Sequence, residues 1–429
     1  MSAKPSPREE ARERRALSRL QLAKLNRGLT LLRRRNRFYK EKLGGIALPL
    51  KEPADLAVLP FTSKEELVRD QERNPPCGTN LTSPLPRYTR THATSGTSGQ
   101  RLKWLDTGRS WAWVLHCWRE VYRAAGVGPN DVVFAAFGFG PFLGFWAGFE
   151  AAQSLGAMVV AGGAQSSAER LDWIQDTRAT VLLSTPTYAL RLAEVAQAKG
   201  MDLSASPVRI TIHGGEPGAS IQTTRARIQE AWGARPFDHA GSTEVGPWGF
   251  ECPEASGLHL LESDFIGEVL EPGGDEPVGP GATGELVLTN LGRWDMPVIR
   301  YRSGDIVQLS EEPCSCGRPY LRFPGGVVGR ADDMIQVKGI NVYPSAVENL
   351  IRARHEVTEF EVEVFRLREM WEMEVRVEVV PESKREAVRS ELAEALATRL
   401  GLRATVKAVA SGSLPRYELK SRRFKIRQG

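Results

Sequence analysis

Long apolar runs are absent from this sequence. No stretch approaches the ~18 residues that a membrane-crossing helix requires, so no span is expected. Cysteine is scarce, at 5 in 429 residues. The opening MSAKPSPREEARERRALSR lacks the apolar core of a secretory signal. Together these predict a cytoplasmic protein whose thiols are free or metal-bound, because disulfides do not persist in a reducing compartment. Internal repeats and low-complexity tracts are missing, which excludes solenoids and arrays. Also lacking is the Gly-Lys-Ser/Thr ending of a P-loop, and with it the case for a Walker-type ATPase.

What is present is ordinary in bulk and uneven in detail. Hydrophobic residues at 41% and charged residues at 25% suit a folded globular chain, and the length suits one large domain and one small. Residues 1 to 43 hold 14 Lys plus Arg against 4 Glu, so a chain of net charge +5 carries a basic arm on a mildly acidic body. That arm could meet nucleic acid or an acidic membrane surface. Leu20, Leu25, Leu29, Leu32 and Phe38 recur at roughly helical spacing, however. The spacing predicts an amphipathic packing helix whose arginines coat its outer face.

From Asp106 onward, helical and strand patterns alternate. The segment 107–126, TGRSWAWVLHCWREVYRAAG, has Thr107 or Ser110 as N-cap and Gly126 as a stop; DVVFAAF then reads as a buried strand. LGFWAGFEAAQSLG, AERLDWIQDTRA, TYALRLAEVAQAKG and SIQTTRARIQEAW read as further helices, with AMVVAG, TVLLST and VRITIHGG as strands between them. Such a series predicts an α/β fold with βα-layered, mostly parallel sheets. Between about Gly257 and Ile306 short strands and PGGDEPVGPGATG point to a β-rich, antiparallel part, and the residues after Gly329 read as a small α+β unit with a basic tail.

Ligands of such sheets bind in loops beyond the carboxyl ends of the strands. The loop after the short strand candidate RYTRTHA gathers Thr94, Ser95, Gly96, Thr97, Ser98 and Gly99. Hydroxyls, backbone N–H groups and glycines can grip an anion, yet the same composition makes a solvated turn. Cys252, His259, Cys314 and Cys316 offer three thiolates and an imidazole, a set that can hold a structural Zn²⁺ with no open coordination position; free thiols are the alternative. Cys77 and Cys117 stand alone, and Cys117 reads as a buried, inert thiol.

The ordered motifs HATSGTSG, HGGEPG (213–218), AGSTEVG (240–246), YRSGDIV (301–307), GRADDMIQVKG (329–339) and LPRYELKSRR resemble those of the adenylate-forming superfamily. LPFTSKEELV, TPTYALRLAE, FECPEASGLHL, MPVIRYRSGD, PCSCGR and GRADDMIQVKGINVYPSAVE bring the resemblance closest to phenylacetate-CoA ligase-like enzymes. The resemblance implies a large domain over 1–330, containing the basic helical arm 1–43 and a β-rich, zinc-bearing part over 250–325. A mobile C-terminal domain over 331–429 would follow, with Asp332 as hinge. It also implies ATP-dependent activation of a carboxylic acid to acyl-AMP, with CoA as the usual acceptor and a carrier-protein arm or an amine as alternatives. Charge in such chemistry builds on phosphate oxygens, so positioning and electrostatic stabilisation suffice.

By the same resemblance, residues 94–99 hold the β- and γ-phosphates, and Glu244 after Thr243 holds Mg²⁺. Gly214, Gly215 and Glu216 line the adenine, with Gly241 and Ser242 beside them; Asp305 takes the ribose hydroxyls; Arg330 contacts the nucleotide; Lys420 reaches the reacting groups. Taken singly, Asp305 reads equally as a turn aspartate, and Lys420 as one of six basic residues between Arg416 and Arg427. One departure concerns adenine: where relatives carry an aromatic stacker this chain has Ala240, which passes the stacking role to the preceding His239 or elsewhere. An acid pocket is expected from Phe137, Phe139, Gly140, Pro186, Tyr188 and Gly214, suiting an aryl or arylalkanoic acid. Nucleic acid is not the expected partner and a homodimer is left open. A reading from another class also stands at this point: a non-catalytic, zinc-containing nucleotide- or nucleic-acid-binding protein.

Overall fold

The computed structural model describes residues 7–94, 101–331, 335–337, 340–367, 370–416 and 423–427. Ser95, Gly96, Thr97, Ser98, Gly99, Asp332 and Lys420 lie outside the described residues. No helix among the described residues is long and apolar enough to cross a membrane.

The central sheet has eight strands. Five are parallel, in the spatial order Met158–Ala161, Val132–Ala135, Val181–Ser184, Ile210–His213 and Arg235–Ser242. Gly246–Glu251, Leu258–Leu260 and Arg322–Phe323 continue the sheet antiparallel. The parallel strands are short apolar runs because both faces are covered. Val133, Ala135, Leu183, Ile212 and Phe237 face one core, beneath the helices Gly108–Ala125 and Leu143–Ser154. Phe134 and Leu182 face a second core with the helices Ser167–Asp176, Pro186–Ala198 and Gln222–Trp232. Local chemistry sets the helix ends: Thr107 and Ser110 form a capping box at the start of Gly108–Ala125, and Gly126, at φ 79°, closes it.

A four-stranded antiparallel sheet follows, ordered Phe265–Leu270, Thr283–Asn290, Tyr301–Gln308, Val327–Arg330. The last part of the chain builds its own core from Val337 through Val406, between a four-stranded sheet and the helices Pro344–Arg352 and Arg385–Leu400. A large α/β body with a small α+β domain is the architecture anticipated from the residue pattern.

The basic arm is the packing helix Pro7–Arg35, continued by Arg37–Lys42. Leu25, Leu29 and Leu32 are buried, and Gln21 donates to the carbonyls of Glu262 at 3.0 Å and Phe265 at 2.9 Å. Lys24 pairs with Asp264 at 3.1 Å. Leu20 departs from the expectation: it is 41% exposed. At 100° per residue it points away from the stripe that starts at Gln21 and Leu25.

Candidate active site

The phosphate-loop candidate spans the end of a hairpin. Strand Tyr88–Ala93 runs antiparallel to Lys103–Thr107, and Thr94 closes the gap between them. Its N–H donates to the Leu102 carbonyl at 3.0 Å, and its hydroxyl accepts from the Leu102 N–H at 3.1 Å. The Ala93 N–H donates to the Pro141 carbonyl at 2.7 Å, which brings the phenylalanine-rich segment beside the loop base.

Strand Lys103–Thr107 carries one end of a buried polar network that no sequence motif announces. Arg293 and Asp106 are both fully buried, with Arg293 Nε donating to Asp106 Oδ1 at 2.9 Å. Arg293 Nη1 donates to the Thr243 carbonyl at 2.7 Å, immediately before Glu244. Burial raises the Asp106 pKa, but the charge and hydrogen bonds of Arg293 outweigh it and the net shift is downward. His92, with Nδ1 3.9 Å from Asp106, is driven down to about 4, first by burial and then by the charges of Arg293 and Arg90. One guanidinium thus links strand Lys103–Thr107 to the backbone of the Thr243–Glu244 motif.

Two of the other motif loops open at the carboxyl ends of neighbouring parallel strands. Gly214 and Gly215 follow strand Ile210–His213. A Cβ on Gly214 would stand a tight 3.1 Å from the His239 carbonyl oxygen, and Gly215 adopts φ +90°, which strains any other residue. Glu216 accepts from the Thr187 N–H at 3.0 Å. Ser242 caps the turn that carries Thr243 and Glu244 by accepting from the Val245 N–H at 3.2 Å. Glu244 is only 5% exposed and accepts from the Tyr301 hydroxyl at 3.3 Å. Burial first, and Glu244 second, push the Tyr301 phenol up, so it stays a donor. Asp305 and Arg330 pair in register across two strands, at 3.0 Å between Oδ1 and Nη1.

Side chains alternate across a strand, and His239 shares the parity of Phe237, so it faces the helices Gly108–Ala125 and Leu143–Ser154. Its ring packs on Trp118 with centroids 4.1 Å apart. Ala240 stands opposite Gly249 in register and is half-buried. The edge of the His239 ring lies beside two motif glycines, with Cδ2 3.2 Å from where a Cβ on Gly214 would stand and Nε2 3.4 Å from one on Gly241.

The acid-pocket candidates also divide. Phe137 stacks on Phe145 at 4.3 Å and Phe139 meets Trp146 at 4.9 Å. Trp146 Nε1 donates to the Gly140 carbonyl at 2.9 Å, and Pro186 begins the helix after Thr185. Tyr188 belongs elsewhere: it is 2% exposed, its hydroxyl bonds Ser167 at 2.9 Å, and Arg170 covers its ring. It is a core residue of the opposite face and does not join the phenylalanine cluster.

Cys252, His259, Cys314 and Cys316 converge, their ligand atoms all within 4.8 Å of one another. Cys252 Sγ lies 3.7 Å from Cys314 Sγ, and Cys316 Sγ lies 3.5 Å from His259 Nε2. A tetrahedral zinc with ordinary bond lengths would set these at about 3.8 Å and about 3.6 Å. The donor set fits the ion.

A buried carboxylate on the turn after a parallel strand, bonded from the neighbouring strand that carries an Asp–Arg pair, in a large α/β body with a small α+β domain, is the arrangement of an adenylate-forming enzyme. Residues 339–426 match the family model described as AMP-binding enzyme C-terminal domain. A phenylacetate-coenzyme A ligase of Thermus thermophilus is 31% identical over 437 residues, covering 96% of each chain. The solved 2-hydroxyisobutyryl-CoA ligase in its postadenylation state, complexed with 2-HIB-AMP, superposes with TM-score 0.89 at 27% identity, over 96% of this chain and 89% of that one. The same ligase in its thioesterification state, with 2-HIB-AMP and CoA, superposes with TM-score 0.71 at 28% identity, over 96% and 90%. The chain belongs to the phenylacetate-coenzyme A ligase family.

Proposed function

We propose that this chain is an AMP-forming acid–CoA ligase acting on an aromatic or arylalkanoic acid. In the first step a carboxylate oxygen attacks the α-phosphorus of ATP, forming the acyl–phosphate bond as the bond to pyrophosphate breaks. In the second, the CoA thiolate attacks the acyl carbon and AMP leaves. The observation that carries this reading is that Tyr301, on the strand that bears Asp305 with its partner Arg330, bonds Glu244, in a chain that aligns with a ligase over 96% of its length. Thr94 to Gly99 would hold the outer phosphates and Asp305 the ribose. Glu244 would hold a magnesium ion, which when bound neutralises charge on the phosphates. Phe137, Phe139 and Phe145 supply the apolar wall that favours an aromatic acid. Asp332 would be the hinge between a domain over 1–330 and one over 331–429. An acid panel run with and without CoA, following AMP and acyl-CoA by mass, tests the reading. AMP formation that needs an acid and thioester that needs CoA are expected. AMP with acyl transfer to an amine but never to CoA would make it an amide synthetase, and no acid-dependent AMP at all would leave the non-catalytic nucleotide binder.

The Cys252–His259–Cys314–Cys316 set would hold a structural zinc that ties the loop after strand Gly246–Glu251 to the Cys314–Cys316 turn. Thiol blocking of the purified protein is expected to release about one equivalent of zinc per chain, read with a colorimetric chelator. Less than about half an equivalent would contradict a filled four-ligand site.

A further inference from the structure

Five arginines line one small cleft. Thr187 and Arg191 enter it from the helix Pro186–Ala198, Arg227 from Gln222–Trp232, and Arg352, Arg416 and Arg423 from the small domain. Four of the five have a carboxylate of their own. Arg191 donates to Glu194 at 3.0 Å, Arg352 to Glu348 at 2.6 Å, Arg416 to Glu378 at 2.7 Å, and Arg423 to Glu359 at 2.5 and 2.9 Å. Glu359 and Glu378 stand directly opposite each other in register on neighbouring strands and are buried. Like charges placed so repel, and Arg423 and Arg416 offset the repulsion while being fixed by it. Arg227 is the exception: no carboxylate pairs with it among the described residues. Its Nη1 is buried and has no hydrogen-bond partner there. Burial first, and the charge of Arg352 second, pull its pKa below the usual arginine value. Five guanidiniums against four paired carboxylates leave one positive charge uncompensated in the cleft.

We propose that this cleft is a binding site for an oxyanion of the phosphate class, with Arg227 as its principal ligand. The anion supplies what Arg227 lacks, a counter-charge and an acceptor for Nη1. A guanidinium carries five N–H donors in a planar fork, so an arginine paired with one carboxylate keeps donors to spare. Forks that arrive from two helices and from the small domain do not lie in one plane. A carboxylate accepts through two oxygens in a single plane, whereas a tetrahedral phosphate offers oxygens in every direction and is matched by several forks at once. The Thr187 hydroxyl, 3.3 Å from Arg423 Nη1, adds a further polar group. The Thr187 N–H also donates to Glu216 at 3.0 Å, so the cleft adjoins the HGGEPG loop while sharing no lining residue with Thr94, Glu244 or Asp305. The site goes beyond the acid–ligase reading and does not depend on it. The phosphoryl group has two sources, free inorganic phosphate and the 3′-phosphate of CoA.

The experiment measures binding of radiolabelled inorganic phosphate to the full-length protein by equilibrium dialysis, with ionic strength held constant by chloride. Wild type is expected to bind it, Arg227→Met to bind about tenfold or more weakly, and Arg227→Lys, which keeps the charge but not the fork, to fall between them. Thr94→Ala should bind as wild type does, because it alters the motif loop and not the cleft. Acetate at equal concentration should not compete. A second arm compares kcat/KM for CoA and 3′-dephospho-CoA in transfer from synthetic acyl-AMP. A wild-type preference for CoA that shrinks about tenfold in Arg227→Met makes the coenzyme the source of the phosphate. A preference that Arg227→Met leaves unchanged, with phosphate binding lost, makes the free anion the ligand. Phosphate bound equally by wild type and Arg227→Met would overturn the site. So would binding lost in Thr94→Ala but kept in Arg227→Met, which would put the anion in the motif loop. An absence of phosphate binding in wild type, with the same coenzyme preference in both proteins, would overturn it too. Arg227 is half-buried and methionine replaces its stem, so the variant should fold, which far-ultraviolet circular dichroism and a thermal melt check.

Discussion

Glu244→Gln is expected to lower acid-dependent pyrophosphate exchange by on the order of 100- to 1000-fold, the loss typical when one preorganised electrostatic contact to the transition state is removed. The substitution conserves volume and leaves an oxygen that can still accept from Tyr301, now 3.3 Å from Oε1. It removes only the charge. Glu244 is 5% exposed and, among the described residues, accepts from the Tyr301 hydroxyl; a buried carboxylate calls for a compensating charge. The thermal midpoint should therefore move little while the Mg²⁺ concentration for half-maximal exchange rises. Lys420→Ala should also abolish exchange yet leave transfer from synthetic acyl-AMP to CoA largely intact, because the resemblance places that lysine only in the first step. Lys425→Ala is the control, since Lys425 pairs with Glu361 on the strand Phe424–Arg427. Equal exchange in wild type and Glu244→Gln would remove the cation role. Equal losses in both lysine variants would reduce Lys420 to a member of a basic tail.

The layered body was legible because its signals are local. Thr107 and Gly126 bracket one helix, and strands such as Val181–Ser184 read as short apolar runs between βα turns. Motif order carried the site as far as Glu244, Asp305 and Arg330. What stayed hidden depends on phase and on distance along the chain. Tyr188 and Phe137 are both aromatic and both follow a parallel strand, but the helix turns Tyr188 toward Ser167 and Arg170. Composition cannot report that angle. His239 could have been assigned its face by counting in twos from Phe237, had the strand been known to reach Ser242. Leu20 shows the limit of loose helical spacing: it fits the stripe by number and misses it by angle. The partners Asp106 and Arg293 are 187 positions apart, and neither stands in a motif that announces the other.

That pair carries the second large prediction. Arg293→Met is expected to destabilise the large domain by about 3–5 kcal/mol, because it leaves Asp106 charged in a site with no exposure. Methionine fills much of the space of the arginine stem and brings no charge. It also gives up the hydrogen bond to the Thr243 carbonyl, so exchange activity should fall even at temperatures where the variant is folded. The arrangement makes a signed prediction for the double variant. Asp106→Asn with Arg293→Met removes both charges, and neutral replacements of a buried pair are often tolerated where single ones are not. Its midpoint should lie above that of Arg293→Met, with a coupling free energy in the range of about 0.5–3 kcal/mol for contacting residues. Activity should not recover in parallel, since neither substitution restores the donor to Thr243. A double variant as unstable as the sum of the singles would mean that the ion pair adds no coupling. Full activity in folded Arg293→Met would mean that the Thr243–Glu244 turn is positioned without the arginine beneath it.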